Sequence, residues 1–136
     1  MKIVDQSARG VETANTPPRR ISIVDDDASI REALKSLMRS VQFNVEAFAS
    51  AEDFLASGLL NDTACLILDV NLPGMNGFEL QKHLNIQRRG IPMIFITAHA
   101  DEASRQRALK GGAIDFLDKP VRRETLFKAI RAAIAD

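Results

Sequence analysis

The chain predicts an α/β fold, a (βα)5 doubly wound sandwich with five parallel strands between two layers of helices. Three observations carry this. Short apolar or β-branched runs alternate five times with stretches of helical period. The run Ala64–Leu68 is continuously apolar between polar neighbours, as a strand covered on both faces must be. Each connection between runs is long enough for a helical crossover, which gives parallel neighbours and right-handed winding.

The elements follow in order. Residues 1–17 read as a flexible N-terminal tail of Ser, Gly, Thr, Asn and Pro with scattered charge, and Pro17-Pro18 marks the junction to a folded part over 18–136. Ile21-Ser22-Ile23-Val24 is a β-branched first strand. Ile30, Leu34, Leu37, Met38 and Val41 then mark one helix face. Phe43–Phe48 alternates like a strand, and Ser50-Ala51-Glu52-Asp53 opens a short helix with a capping pattern. Ala64–Leu68 is the third strand, and Asn76-Gly77-Phe78-Glu79 caps a third helix carrying Leu80 and Leu84. Ile91–Ile96 is the fourth strand. Asp101–Lys110 is a helix stopped by Gly111-Gly112, with Ala103, Ala108 and Leu109 as its expected anchors. Ile114–Leu117 is the fifth strand, and Leu126, Ile130, Ala133 and Ile134 mark a last helix over 123–135.

Composition narrows the function classes. The chain has 136 residues, 46% of them hydrophobic and 26% charged, which suits one folded domain and not a disordered chain. Eighteen basic residues balance eighteen acidic ones, so no global basic field exists to hold nucleic acid. No apolar run approaches the ~18 residues of a membrane helix, and the N-terminus lacks the apolar stretch of a signal peptide. The single cysteine, Cys65, excludes an internal disulfide and a multi-cysteine zinc site. These bounds predict a cytoplasmic domain.

In a doubly wound sheet the chemistry sits at the carboxyl ends of the strands. Strand one ends in Asp25-Asp26-Asp27, strand three in Asp69 and strand four in Thr97, while strand five runs up to Lys119-Pro120. Asp27 is expected to cap the following helix. The other carboxylates would repel one another at one edge, a conflict that a hard divalent cation such as Mg²⁺ resolves with oxygen ligands. Asp69 can act as a nucleophile toward phosphorus and form an acyl phosphate. Thr97 offers a hydroxyl. Lys119 offers an ammonium held beside a proline-set turn, where a cis peptide fits.

Four of these strand ends match a known pattern: Ile23-Val24-Asp25-Asp26-Asp27, Leu66-Ile67-Leu68-Asp69-Val70-Asn71-Leu72-Pro73-Gly74-Met75-Asn76-Gly77, Ile96-Thr97-Ala98 and Gly112-Ala113-Ile114-Asp115-Phe116-Leu117-Asp118-Lys119-Pro120. Over about residues 19–135 the chain resembles the receiver domain of bacterial two-component response regulators, in wording closest to regulators with LuxR-type outputs. The resemblance implies the flavodoxin-like receiver fold and a phosphoryl-accepting switch, not an enzyme acting on other substrates. Asp69 would accept a phosphoryl group from a sensor histidine kinase or phosphotransfer protein. Asp25, Asp26, Asp69 and the carbonyl of Asn71 would bind Mg²⁺. Thr97 and Phe116 would be the switch pair, Lys119 would bind the phosphoryl group, and Asn71 and His99 would tune slow autodephosphorylation. Phosphorylation is expected to pull Thr97 inward, turn Phe116 into the vacated space and rearrange residues 97–117. The face formed by helix 101–110, strand 114–117 and helix 123–135 would then meet a downstream protein or a second copy, with no contact to nucleic acid or membrane.

Two other classes compete. A Mg²⁺-dependent phosphohydrolase also works through an aspartyl phosphate, but the haloacid-dehalogenase pattern needs Asp-x-Asp. Here the nucleophile reads Asp69-Val70-Asn71, and an amide cannot act as general acid. A flavin-binding module would place phosphate where Asp25–Asp27 repel it. Cys65 reads as a small core residue, His83 as a solvated helix residue, and Arg88-Arg89 and Arg122-Arg123 as solvated helix ends.

Overall fold

The computed structural model describes residues 20–135; the expected tail lies outside the described residues. Five strands form one sheet: β1 (Arg20–Val24), β2 (Asn44–Phe48), β3 (Thr63–Leu68), β4 (Met93–Thr97) and β5 (Asp115–Asp118). Their order is β2-β1-β3-β4-β5 and every pairing is parallel. The helices are α1 (Ala28–Ser40), α2 (Ala51–Ala56), α3 (Gly77–Ile86), α4 (Glu102–Lys110) and α5 (Arg123–Ile134).

Because side chains alternate along a strand, the central runs feed two cores. Ile21, Ile23, Cys65, Ile67, Ile94 and Ile96 pack with Leu34 and Met38 of α1 and Leu126 and Ile130 of α5. Val24, Leu66, Leu68, Phe95 and Phe116 pack with Phe54 of α2, Leu80 and Leu84 of α3 and Ala108 of α4. Ser22 falls on a covered face as well, and its hydroxyl is satisfied by Thr63 at 2.7 Å. The expected doubly wound sandwich is therefore the observed one.

The helix starts follow their caps. The Asp27 carboxylate accepts from the amides of Ser29 and Ile30, and Ser50 Oγ accepts from Asp53. Asn76 and Glu79 close a reciprocal capping box. Several limits differ from expectation. The fourth strand starts at Met93, not Ile91, because Pro92 has no N–H to join the ladder. The fifth is Asp115–Asp118, leaving Ile114 exposed, and the second starts at Asn44. Asp101 is the N-cap of α4 and not its first residue, and α5 ends at Ile134. Val41 lies beyond α1 as its C-cap and is exposed. A 3-10 turn at Leu60–Asp62 was not foreseen. Of the anchors expected for α4, Ala108 alone is buried; Leu109 is half-buried and Ala103 faces solvent.

Candidate functional site

Parallel register brings the site together. Val24 pairs with Leu68, Leu68 with Phe95, and Thr97 with Asp118, so four strands bring their carboxyl ends to one edge of the sheet. The next residues, Asp25, Asp69 and Lys119, therefore meet across a sequence separation of more than ninety residues. Asp25 is 3% exposed and Asp69 6%, whereas Asp26 stands in solvent. One carboxylate oxygen from each of the three lies within 4.8 Å of the others.

Lys119 reaches between the two buried acids. Its Nζ donates to Asp25 Oδ2 at 2.8 Å and to Asp69 Oδ2 at 2.7 Å. Burial of the ammonium pulls its pKa down, but the hydrogen bonds and charges of Asp25 and Asp69 outweigh this and hold it above the ordinary lysine value. The other oxygens face backbone donors: Asp25 Oδ1 accepts from Asp27 N at 2.9 Å and Asp69 Oδ1 from Asn71 N at 3.0 Å. Both carboxylates are thus fixed in orientation before any ligand arrives. The Lys119–Pro120 peptide is cis, as the turn suggested.

Three carboxylates against one ammonium leave two uncompensated negative charges. A divalent cation with oxygen ligands fits that donor set in charge and in chemistry, and among the described residues no side-chain hydrogen bond of Asp26 competes for it. Thr97 is 1% exposed and its Oγ1 lies 3.5 Å from Asn71 Nδ2, beside the cluster. The backbone ties the same corner together, since Lys119 N donates to Thr97 O at 2.9 Å. His99 is exposed in the loop between β4 and α4.

Phe116, the expected switch aromatic, is 3% exposed. Its ring packs on Phe95 at 6.0 Å, and Phe95 packs on Phe78 at 5.5 Å. The cause is the aromatic row itself: β5 directs Phe116 into the same core layer as Phe95, so apolar burial holds it there. Its carbonyl accepts from Arg105 of α4 at 3.0 Å.

The sequence reading missed four supporting residues. Arg31 donates to the Asp25 carbonyl at 2.8 Å, and Glu52 accepts from Met75 N at 2.8 Å, pinning the loop after Asp69. Gln81 of α3 donates to the Ala108 carbonyl of α4 at 2.9 Å. Gly77 was read as part of a cap and as the end of the Asp69–Gly77 motif. A Cβ there would collide with the Asp69 carbonyl oxygen, so the glycine lets α3 start directly against the Asp69 backbone. No local signal marks Arg31, Glu52 or Gln81. The spacing from Asp69 to Gly77 was visible, and the close approach was not.

The family model for the response regulator receiver domain matches residues 21–131. The chain belongs to the response regulator receiver family. Among curated relatives, this receiver is 43% identical over 129 residues to nodulation protein W of Bradyrhizobium diazoefficiens, covering 95% of this chain and 57% of that protein. It is 46% identical over 114 residues to response regulator protein TodT of Pseudomonas putida, covering 84% of this chain and 50% of that one. The chain thus spans about half the length of the curated relatives it matches. Among solved structures, the receiver superimposes on response regulator StyR with a TM-score of 0.80 at 44% identity, covering 86% of this chain and 59% of StyR. For FixJ-N the TM-score is 0.77 at 34% identity, over 88% and 95% of the two chains. Response regulators relay signals from histidine kinases, and this receiver is a signalling domain of that class. Among its described residues no helix is long and apolar enough to cross a membrane.

Proposed function

We propose that this receiver is a phosphoryl-accepting switch in the cytoplasm, with Asp69 as acceptor. The observation that carries the reading is the buried Asp25–Lys119–Asp69 bridge with Asp26 at its open side. An Asp69 carboxylate oxygen attacks phosphorus in line as the bond from phosphorus to the donor histidine nitrogen breaks, and the electron pair returns to the imidazole. Asp25, Asp26, Asp69 and the Asn71 carbonyl would hold Mg²⁺, which would supply charge neutralisation at the transferring group. Lys119 passes one of its hydrogen bonds to a phosphoryl oxygen, and Thr97 donates its hydroxyl to another. Water reaching phosphorus from the same open side reverses the state slowly, and Asn71 and His99 tune its rate. The only chemistry is self-directed. The partners are a sensor histidine kinase or phosphotransfer protein upstream, and a downstream protein or second copy on the face of α4, β5 and α5.

Intact mass after incubation with acetyl phosphate and Mg²⁺ tests this reading. The chain should gain one phosphoryl group, and Asp69→Asn should gain none. A gain that survives Asp69→Asn places the acceptor elsewhere.

A further inference from the structure

Outside the carboxylate cluster, an open groove of about 380 Å³ runs between α3 and α4. Its floor is closed and satisfied. Gln81 Nε2 donates to the Ala108 carbonyl, Asn85 Nδ2 donates to the Gly111 carbonyl at 2.8 Å, and a Cβ at Gly111 would collide with the Gln81 amide at 2.6 Å. The groove therefore has a polar floor whose Gln81 and Asn85 amides are already paired with the Ala108 and Gly111 carbonyls.

Its rim is different. Ile86 is 70% exposed, more than any other large apolar residue among those described as exposed. Lys82 and Arg107 line the same groove, and no carboxylate does. Arg107 lies 4.3 Å over the Phe78 ring, which occupies the guanidinium face and leaves its N–H edge for an acceptor. Neither cation has an ion-pair partner among the described residues. The acids nearest in sequence on each helix are engaged elsewhere: Glu79 accepts from Asn76 N at 2.8 Å, and Glu102 accepts from Gln106 at 2.7 Å.

We propose that this groove docks an acidic polypeptide segment of a partner protein, with carboxylates meeting Lys82 and Arg107 and an aliphatic side chain covering Ile86. Charge complementarity selects the occupant. A second copy docked symmetrically would set Lys82 and Arg107 against their own equivalents. A nucleic-acid backbone would meet only two cations and would leave Ile86 in water, on a chain whose basic and acidic residues are equal in number. An isolated small anion would also leave Ile86 bare. An acidic amphipathic segment satisfies both halves of the rim at once.

The test uses the whole unphosphorylated chain and a fluorescein-labelled amphipathic peptide with glutamates along one face and leucines along the other. Anisotropy should show saturable binding that weakens as salt rises. Ile86→Asp, and separately the double variant Lys82→Glu with Arg107→Glu, should each weaken binding about tenfold or more. The double variant should instead prefer the same peptide with lysines in place of glutamates. All these side chains lie on the rim, so circular dichroism should show unchanged folding, and Asp69 phosphorylation should persist in every variant. No saturable binding, equal affinity for the wild type and the variants, or displacement of the peptide by duplex DNA would each overturn the proposal.

Discussion

At Gly77 the chain has no room for a single methyl group, and the reason is chemical as well as steric. The carbonyl that a Cβ would strike belongs to Asp69. Gly77→Ala must push α3 away or tilt the Asp69 peptide, at a cost of about 1–3 kcal/mol by analogy with overpacked cores. The expected outcome is a lower urea midpoint together with slower labelling by acetyl phosphate. A variant with reduced stability and unchanged labelling would show that α3 gives way and Asp69 does not. Cys65 makes a different point. It is fully buried on β3, and burial pushes its thiol from 9.0 up to about 12. In the native state it should resist iodoacetamide at about pH 8 and react once the chain is unfolded, because only the thiolate is nucleophilic. A folded value above the unfolded one gives stability that is complete below pH 9.0 and lost as pH rises toward about 12. Cys65→Ala should therefore flatten the alkaline limb of a stability–pH curve.

At the scale of elements, α4 is the helix with the least holding it. Ala108 is its one buried side chain, and its firm polar ties are at the C-terminal end, where Gln81 and Asn85 of α3 hold the Ala108 and Gly111 carbonyls. The N-terminal half hangs from the Asp101 cap and from the Arg105 bond to Phe116. Reversing a two-state element from 1:99 to 99:1 takes about 5.5 kcal/mol, and a charge-assisted hydrogen bond supplies about 1.5–3 kcal/mol. A phosphoryl group recruiting Thr97 and Lys119 is of that order. Hydrogen exchange with and without beryllofluoride should change over residues 98–106 and along β5, with little change at 107–112, where α3 grips. Protection altered around Asp69 alone would exclude α4 as the moving part. Phe116 is held in the core by the aromatic row. Its carbonyl is tied to α4 through the Arg105 bond.

For the whole molecule, the site is a place where the fold opposes itself. The register of four strands delivers Asp25, Asp26 and Asp69 to one edge, and Lys119 compensates only one of the three charges. Mg²⁺ should therefore raise the melting temperature of the entire domain, by the equivalent of about 2.7 kcal/mol at a hundredfold excess over its dissociation constant. Asp26→Asn should melt higher than wild type without metal, because one repelling charge is gone, and should lose most of the Mg²⁺ response. A melting temperature unmoved by Mg²⁺ in the wild type would remove the metal from this edge.

The alternation of periods by itself determined the (βα)5 sandwich, because parallel strands need helical crossovers and strands covered on both faces need unbroken apolar runs. The positions of Asp25, Asp69, Thr97 and Lys119 at strand ends were legible for the same reason, since a strand end is a property of local sequence. The tertiary structure alone decided which of them touch. Lys119 could have met any acid on the edge, and register placed it between Asp25 and Asp69. The contacts of Arg31, Glu52, Gly77 and Gln81 were likewise invisible, because each depends on the approach of segments that sequence separates. So was the inward Phe116, whose burial follows from its packing on the neighbouring strand. Periodicity is set by neighbours along the chain, whereas the geometry of a site is set by neighbours across it.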